Sequence, residues 1–113
     1  MTRRFVVHVR HSRSPEEIRK GLMFRRSPLR KNHGMLFHTG RRISRFWMKD
    51  TFIPLDVVFL NRNFRVVGYV QDTCPHSLAP ITIGRPSSFV LEMNAGWVRR
   101  NGVRVGDVIL PSE

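Results

Sequence analysis

Hydrophobic and polar residues alternate along much of this chain in the pattern of short β-strands. In the first such segment, residues 5–11, the side chains of Phe5, Val7 and Val9 fall on one face. The same strand character recurs in six further segments: 34–38, 43–48, 55–60, 65–70, 88–93 and 106–110. Residues 55–60 are almost wholly apolar, which predicts a strand in the middle of the sheet.

One stretch, SPEEIRKGLMF, has the spacing and the boundary signals of a short helix. Ser14 is a good N-cap, Pro15 suits the first helical position, and Glu17 completes a capping box with Ser14. Gly21 provides a residue that can adopt a positive φ and so end the helix. A second helical turn is predicted at residues 95–100, ending near Gly102.

These elements predict the fold class. Mostly β-segments with one or two short helices indicate an α+β protein, built either on a mostly antiparallel β-sheet or as a partly open small barrel. The segment TGRR at 39–42 is predicted to be a turn, and residues 71–86 a long loop. At 113 residues, with neither repeats nor a linker, the chain is predicted to be a single domain over 1–113.

The composition indicates more about the cellular compartment of the protein than about its function. The hydrophobic fraction of 41% is ordinary for a folded domain, and the single cysteine, Cys74, cannot form an intrachain disulfide. The first apolar run is too short for a signal peptide, and no later run is long enough to span a membrane. We therefore expect a cytoplasmic protein with no transmembrane segment.

The charge is unusual in its size and in its distribution. The formal net charge is +12, and residues 1–50 hold 14 of the 20 Lys and Arg but only 3 of the 8 Asp and Glu. Such an imbalance favours a polyanionic partner, either nucleic acid or an acidic protein, although a basic solvated surface gives the same composition. The candidate contact residues lie in two neighbouring basic segments: Arg25, Arg26, Arg30, Lys31, Arg41, Arg42 and Arg45.

A second candidate site comes from charges placed within apolar strands. The stretch FWMKDTFIPLDVVFL contains Trp47, Lys49 and Asp56, and Glu92 lies in the apolar segment FVLEMN. A buried acid is costly unless it is paired, so Asp56 is interpreted first as part of a buried polar pairing, with Lys49, Arg19 or the backbone N–H groups of the KDT turn at 49–51 as its partners. The alternative interpretation is a small-ligand pocket formed by Trp47, Lys49, Asp56 and Glu92.

Other chemistry has weaker support in the sequence. The methionines lie beside apolar residues and are interpreted as core, and the pair Cys74 and His76 lacks further ligands for a metal site. Phosphate-binding loops and hydrolase motifs are absent. We therefore predict no metal, no cofactor and no assigned catalytic residue, and we leave enzymatic activity open.

The order of several motifs resembles a known family. The segments SPEEIRKGLMFR, GMLF, FWMKDTFIPLDVVFL, VVGYV and VLEMNAGWVRRNGVRVGDVI are similar, in that order, to domain of unknown function 192, an ancient conserved region of prokaryotes. The resemblance implies a compact β-rich α+β domain, and it implies no activity. Many members of that family look exported, whereas this chain begins almost directly at its first strand.

Together these observations support two functional hypotheses. The first is a small non-catalytic binding or accessory protein whose basic N-terminal half contacts a polyanion. The alternative is a small enzyme or ligand-binding protein with its pocket around Lys49, Asp56 and Glu92.

Overall fold

The computed structural model describes all residues, 1–113, and contains six strands and two short helices. Neither helix has the length or the apolar character needed to cross a membrane. The elements are, in chain order, β1 (Arg4–Ser12), α1 (Pro15–Lys20), β2 (His33–Ile43), β3 (Leu55–Leu60), β4 (Val66–Val70), β5 (Pro86–Asn94), α2 (Trp97–Asn101) and β6 (Val108–Ser112).

The strands form one mixed sheet in the order β4-β3-β5-β2-β1-β6, curled into a half-barrel. Strand β1 pairs in parallel with both β2 and β6, while the other three ladders are antiparallel. The β1–β2 pair is parallel because α1 lies in the connection and returns the chain to the same end of the sheet. The prediction of a small, mostly β fold with two short helices is therefore confirmed, and the sheet itself is mixed.

Side chains alternate across the central strands and build a separate apolar core on each face. Strand β3 is buried along its whole length. Val58 and Leu60 pack in one cluster with Leu91 and Trp97, whereas Val57 packs in the other cluster with Phe37 and Leu22. Since successive residues of a strand point to opposite faces, each charged residue in β3 or β5 faces one of these two cores.

Two local predictions around β2 are wrong. The segment TGRR is not a turn, because β2 continues through it to Ile43 with an irregularity in its pairing to β5 between His38 and Arg42. Residues 43–48 do not form a strand of the sheet; they make a single isolated bridge, Phe46 to Ile81. Three residues of β2, 39–41, stand opposite one residue of β5, Ser88, and the ladder continues beyond them, so the Gly and two Arg that resemble a turn lie within one long strand.

The predicted ends of α1 are confirmed. The Ser14 hydroxyl accepts from the backbone N–H of Glu17 at 3.1 Å, and the Glu17 carboxyl accepts from the Ser14 N–H at 2.9 Å. The backbone N–H groups of Ser14 and Arg13 both donate to the Glu17 carboxyl and lower its pKa. Gly21 follows the helix with a φ of 47°. Residues within the segment itself are therefore sufficient to predict where this helix begins and ends.

Candidate functional site

A cleft of about 610 Å³ opens between α1, the end of β2 and the irregular segment that follows it. We call it the Glu92 cleft, and we call the buried Glu92, the one acid that lines it, its floor. Apolar side chains form its walls, and three of them are aromatic. These residues are Ile18, Leu22, Met23, Phe37, Phe46 and Trp47. A concave, mainly apolar site with a few polar groups is the usual form of a small-molecule pocket.

Backbone hydrogen bonds hold the aromatic wall in place. The N–H of Phe46 donates to the carbonyl of Ile81 at 3.0 Å, and the N–H of Met48 donates to the carbonyl of Ser77 at 2.9 Å. Met48 is buried beneath the sheet face, whereas Trp47 is 45% exposed. The pairing with segment 77–81 therefore directs Trp47 outward, beside the cleft.

Helix α1 forms the opposite wall. The backbone at Gly21 lies close to Phe37, since a methyl group at Gly21 would be 3.2 Å from the end of the Phe37 ring. Beyond the helix, the N–H of Phe24 donates to the carbonyl of Asp50 at 2.7 Å. This bond joins the two walls at one end of the cleft.

Glu92 is a buried carboxyl that receives no hydrogen bond from the protein. It lies on β5 between Met35 of β2 and Val57 of β3, and it is 5% exposed. None of the side-chain hydrogen bonds or ion pairs of the protein involves it. Burial raises the pKa of Glu92 to about 8, so the carboxyl is mostly protonated at neutral pH and carries an O–H donor beside a C=O acceptor.

A hydroxyl on the cleft wall is also unpartnered. Ser44 lines the cleft and is buried, and its Oγ has no hydrogen-bond partner. Thr39 and Thr51 line the same cleft, but their hydroxyls donate to backbone carbonyl oxygens. Buried polar groups in proteins are nearly always paired. The Ser44 hydroxyl is sealed from solvent, as are the unpartnered hydroxyls of Ser12 and Ser87, so Glu92 is the informative unpaired group of this cleft.

The remaining charges that line the cleft are all positive. They are Arg19, Lys20, Arg42 and Arg45, all of them exposed. None of them forms an ion pair with an acid of this chain. The cleft therefore combines an uncharged polar floor, apolar walls and a cationic rim.

Asp56 does not line this cleft. It is fully buried on the opposite face of the sheet, where its Oδ1 accepts from the N–H of Asp72 and its Oδ2 from the N–H of Val98, both at 2.9 Å. The N-cap of α2 is Gly96, which has no side chain to accept this bond, so Asp56 serves the helix N-terminus from a neighbouring strand. A buried polar pairing is thus present, but its partners are neither Lys49 nor Arg19.

The other three residues of the predicted pocket do not all line the same cleft. Trp47 and Glu92 both line the Glu92 cleft, whereas Lys49 is exposed beyond it with its Nζ 5.3 Å from the centre of the Trp47 ring. The structure thus brings together two of the four predicted residues, Trp47 and Glu92.

The seven predicted polyanion contacts are spread over several surfaces. Arg42 and Arg45 line the Glu92 cleft, while Arg25 and Arg30 line a second cleft of about 710 Å³. The two clefts share the residues 20–23 and are therefore neighbours. Arg26 lies over the ring of Phe52, Lys31 is exposed in the loop before β2, and Arg41 lines a small hollow beside Arg62.

The residues considered for metal or thiol chemistry are dispersed. Met48 and Met93 belong to cores on opposite faces of the sheet, and Cys74 is exposed and free. No group of three or more His, Cys, Asp or Glu side chains is arranged to hold a metal ion. His11 and His38 do form a direct hydrogen bond of 2.8 Å, but His11 turns its other ring nitrogen toward Glu113.

Three comparisons with known proteins give the context for this cleft. The model of the family DUF192, described as an uncharacterized ACR, matches residues 2–110. No protein with a curated description matches the chain.

Two solved structures are similar over most of the chain. One is a candidate transcription regulator from Sinorhizobium meliloti, 38% identical, with a TM-score of 0.84 over 87% of this chain and 76% of that chain. The other is a protein of unknown function from Novosphingobium aromaticivorans, 34% identical, with a TM-score of 0.82 over 87% of this chain and 70% of that chain.

Proposed function

The chain belongs to the DUF192 family, and because that family has no established function, we propose from the Glu92 cleft that this protein binds a small organic anion. The observation that carries the proposal is the Glu92 carboxyl, which is buried, lacks a hydrogen bond and opens into a cleft with a cationic rim.

An unpaired polar group on the cleft floor is unfavourable for the empty protein. A buried donor or acceptor without a partner costs on the order of 1–3 kcal/mol, and the buried carboxyl of Glu92 places such a group at the cleft. A ligand that supplies the missing hydrogen bonds recovers this cost on binding. The cleft is therefore better suited to an occupied state than to an empty one.

The rim selects the sign of the ligand charge. Four cations line the cleft, and the only acid in it is the floor carboxyl, which is mostly neutral at pH 7. An anionic group at the mouth would be attracted by these cations without displacing an existing ion pair. The apolar walls then accommodate the body of the ligand between the charged mouth and the polar floor.

Thermal-shift screening with small organic acids and phosphate esters tests this proposal. We expect some of these compounds to stabilise the wild-type protein, by about 3 kcal/mol for a ligand present at 100 times its dissociation constant. Glu92→Leu preserves the side-chain volume approximately but removes the polar floor, so it should abolish these shifts. Glu16→Gln is the matched control, since Glu16 is exposed on α1 and lies outside the cleft. Equal shifts in wild type and Glu92→Leu would contradict the proposal.

A second candidate function is the contact with a polyanion through the basic N-terminal half. It is favoured by the absence of any ion pair for Arg25, Arg26, Arg30, Lys31, Arg41, Arg42 and Arg45. The candidate transcription regulator from Sinorhizobium meliloti is compatible with a nucleic-acid partner.

The salt dependence of RNA binding tests this second function. We expect the affinity for a single-stranded RNA to fall steeply with salt concentration, with a log–log slope of about −0.7 for each phosphate neutralised. Arg30→Gln/Lys31→Gln should make the slope shallower. The control Arg99→Gln/Arg100→Gln removes the same charge from α2, a helix packed on the other face of the sheet, and should leave the slope unchanged. Absence of RNA binding at low salt would exclude this function.

A further inference from the structure

We propose that the ligand of the Glu92 cleft is a nucleotide, whose base hydrogen-bonds to Glu92 and whose phosphate is held by Arg42 and Arg45. This inference rests on the proposed ligand-binding function and assigns the chemical class of the ligand. It depends on the order of three zones in the cleft, which are polar at the floor, apolar along the walls and cationic at the rim.

The floor matches the polar edge of a base. Glu92 lies between β2 and β3 without a hydrogen bond, and it lines the cleft. A protonated carboxyl presents a donor and an acceptor side by side. The edges of the nucleobases likewise carry neighbouring donors and acceptors, so a base can form two parallel hydrogen bonds with this group.

The walls match the flat faces of a base. Phe46 and Trp47 contribute aromatic surface on one side, and Leu22 and Met23 contribute apolar surface on the other. Trp47 is 45% exposed, although it lies in a segment whose neighbours are fixed by backbone hydrogen bonds. An exposed ring on a fixed backbone is suited to stacking, which every base can accept.

The rim matches a phosphate. Arg42 lies on β2 and Arg45 follows two residues beyond its end, so both guanidinium groups belong to the same wall as the aromatic rings. Guanidinium groups form paired hydrogen bonds with phosphate oxygens, and neither arginine is engaged by an acid of the chain. Arg19 and Lys20 provide further positive charge from α1 on the opposite side.

Other small anions use only part of this arrangement. Inorganic phosphate would contact the rim and leave Glu92 unpaired, and an aliphatic acid would not offer a donor and an acceptor to the floor. The cavity volume of about 610 Å³ lies within the range of roughly 300–1,000 Å³ that is usual for ligand pockets. A nucleotide is thus the class of anion that satisfies all three zones.

Calorimetric titration with AMP, CMP, adenosine, cytidine and inorganic phosphate tests the assignment. We expect at least one of the two nucleotides to bind, and the matching nucleoside and inorganic phosphate to bind about tenfold more weakly or worse. Arg42→Gln/Arg45→Gln should weaken nucleotide binding about tenfold and leave nucleoside binding unchanged. The control Arg99→Gln/Arg100→Gln removes the same charge from α2 and should alter neither affinity.

Substitutions of Glu92 separate hydrogen bonding from shape. Glu92→Gln keeps a donor beside an acceptor and should bind the nucleotide within about threefold of wild type, while Glu92→Leu should lose about tenfold or more. Wild-type affinity should also fall between pH 7 and pH 9.5, as Glu92 loses its proton, and Glu92→Gln should show no such fall. The other charged groups facing the cleft are the cations Arg19, Lys20, Arg42 and Arg45. Wild type and Glu92→Gln share these four cations, so a difference between their pH profiles comes from Glu92.

Several results would overturn the assignment. These are the absence of nucleotide binding, binding that Glu92→Leu and Arg42→Gln/Arg45→Gln leave unchanged, and RNA binding without mononucleotide binding. If the thermal-shift screen finds ligands that depend on Glu92 but carry no base, the nucleotide assignment fails and the ligand-binding function stands. If no screened compound depends on Glu92, both proposals fail.

Discussion

The free energy of unfolding of this protein is expected to fall by roughly 4 kcal/mol as the pH rises from 4.5 to 8, because folding transfers Glu92 out of water. In the folded protein the carboxyl lies between buried strands and its pKa is raised from 4.5 to about 8. Since one pKa unit corresponds to about 1.4 kcal/mol, this is the largest single pH effect that the structure indicates.

The sign follows from proton binding. Between pH 4.5 and pH 8 the folded protein holds a proton on Glu92 that the unfolded chain has released, so raising the pH favours the unfolded chain. The contribution is fully present below pH 4.5 and is lost as the pH rises through about 8. Above that value both states are ionised and this contribution no longer changes.

Urea unfolding of wild type and Glu92→Gln across this pH range measures the effect. The glutamine has nearly the same shape and does not titrate, so the difference between the two proteins isolates Glu92. His38 acts in the opposite direction, because desolvation, assisted by Arg13 and His11, lowers its pKa and makes the folded state more stable above the usual pKa of histidine. That contribution occurs in both proteins and cancels. A difference that stays constant from pH 4.5 to pH 8 would contradict the prediction.

The same carboxyl connects stability with function. A hydrophobic residue at position 92 would complete the apolar core between Met35 and Val57 without an unpaired polar group. The wild-type residue therefore makes the empty protein less stable, while it provides the cleft floor with its hydrogen-bonding group. Such a conflict between stability and local polarity is typical of binding and catalytic sites.

Local features of this fold could be predicted from the sequence, because their partners lie close along the chain. The capping box of Ser14 and Glu17 spans four residues and forms as expected. The bulged strand through TGRR was missed, because only the pairing with β5 distinguishes a bulge from a turn.

The composition of the site could be predicted only in part. Alternation indicated that Glu92 was an acid within an apolar strand, but which face it occupies depends on the sheet order. The α1 wall of the cleft, with Arg19 and Lys20, was missed, since its position depends on packing against Phe37. The partners of Asp56 were missed for the same reason, because Val98 lies 42 residues away in sequence.

Replacing Asp56 by alanine is expected to lower the free energy of unfolding by roughly 4 kcal/mol. The substitution removes the acceptor for the buried N–H of Val98 and the acceptor for the N–H of Asp72, and it leaves a cavity in a fully buried site. Gly96 cannot replace the lost acceptor of α2, because it has no side chain. Asp56→Asn retains one acceptor oxygen and should cost about half as much.

Chemical denaturation measures these changes, and amide hydrogen exchange locates them. In Asp56→Ala the amide of Val98 should lose more protection than amides in the β1–β2 ladder, which Asp56 does not contact and which follow only the global change in stability. Asp72→Asn is the matched control: it changes an exposed carboxyl in the same turn, preserves the N–H that donates to Asp56, and should stay within about 0.5 kcal/mol of wild type. If Asp56→Ala were as stable as this control, the two backbone hydrogen bonds would not hold α2 against the sheet, and the buried position of Asp56 would need another physical cause.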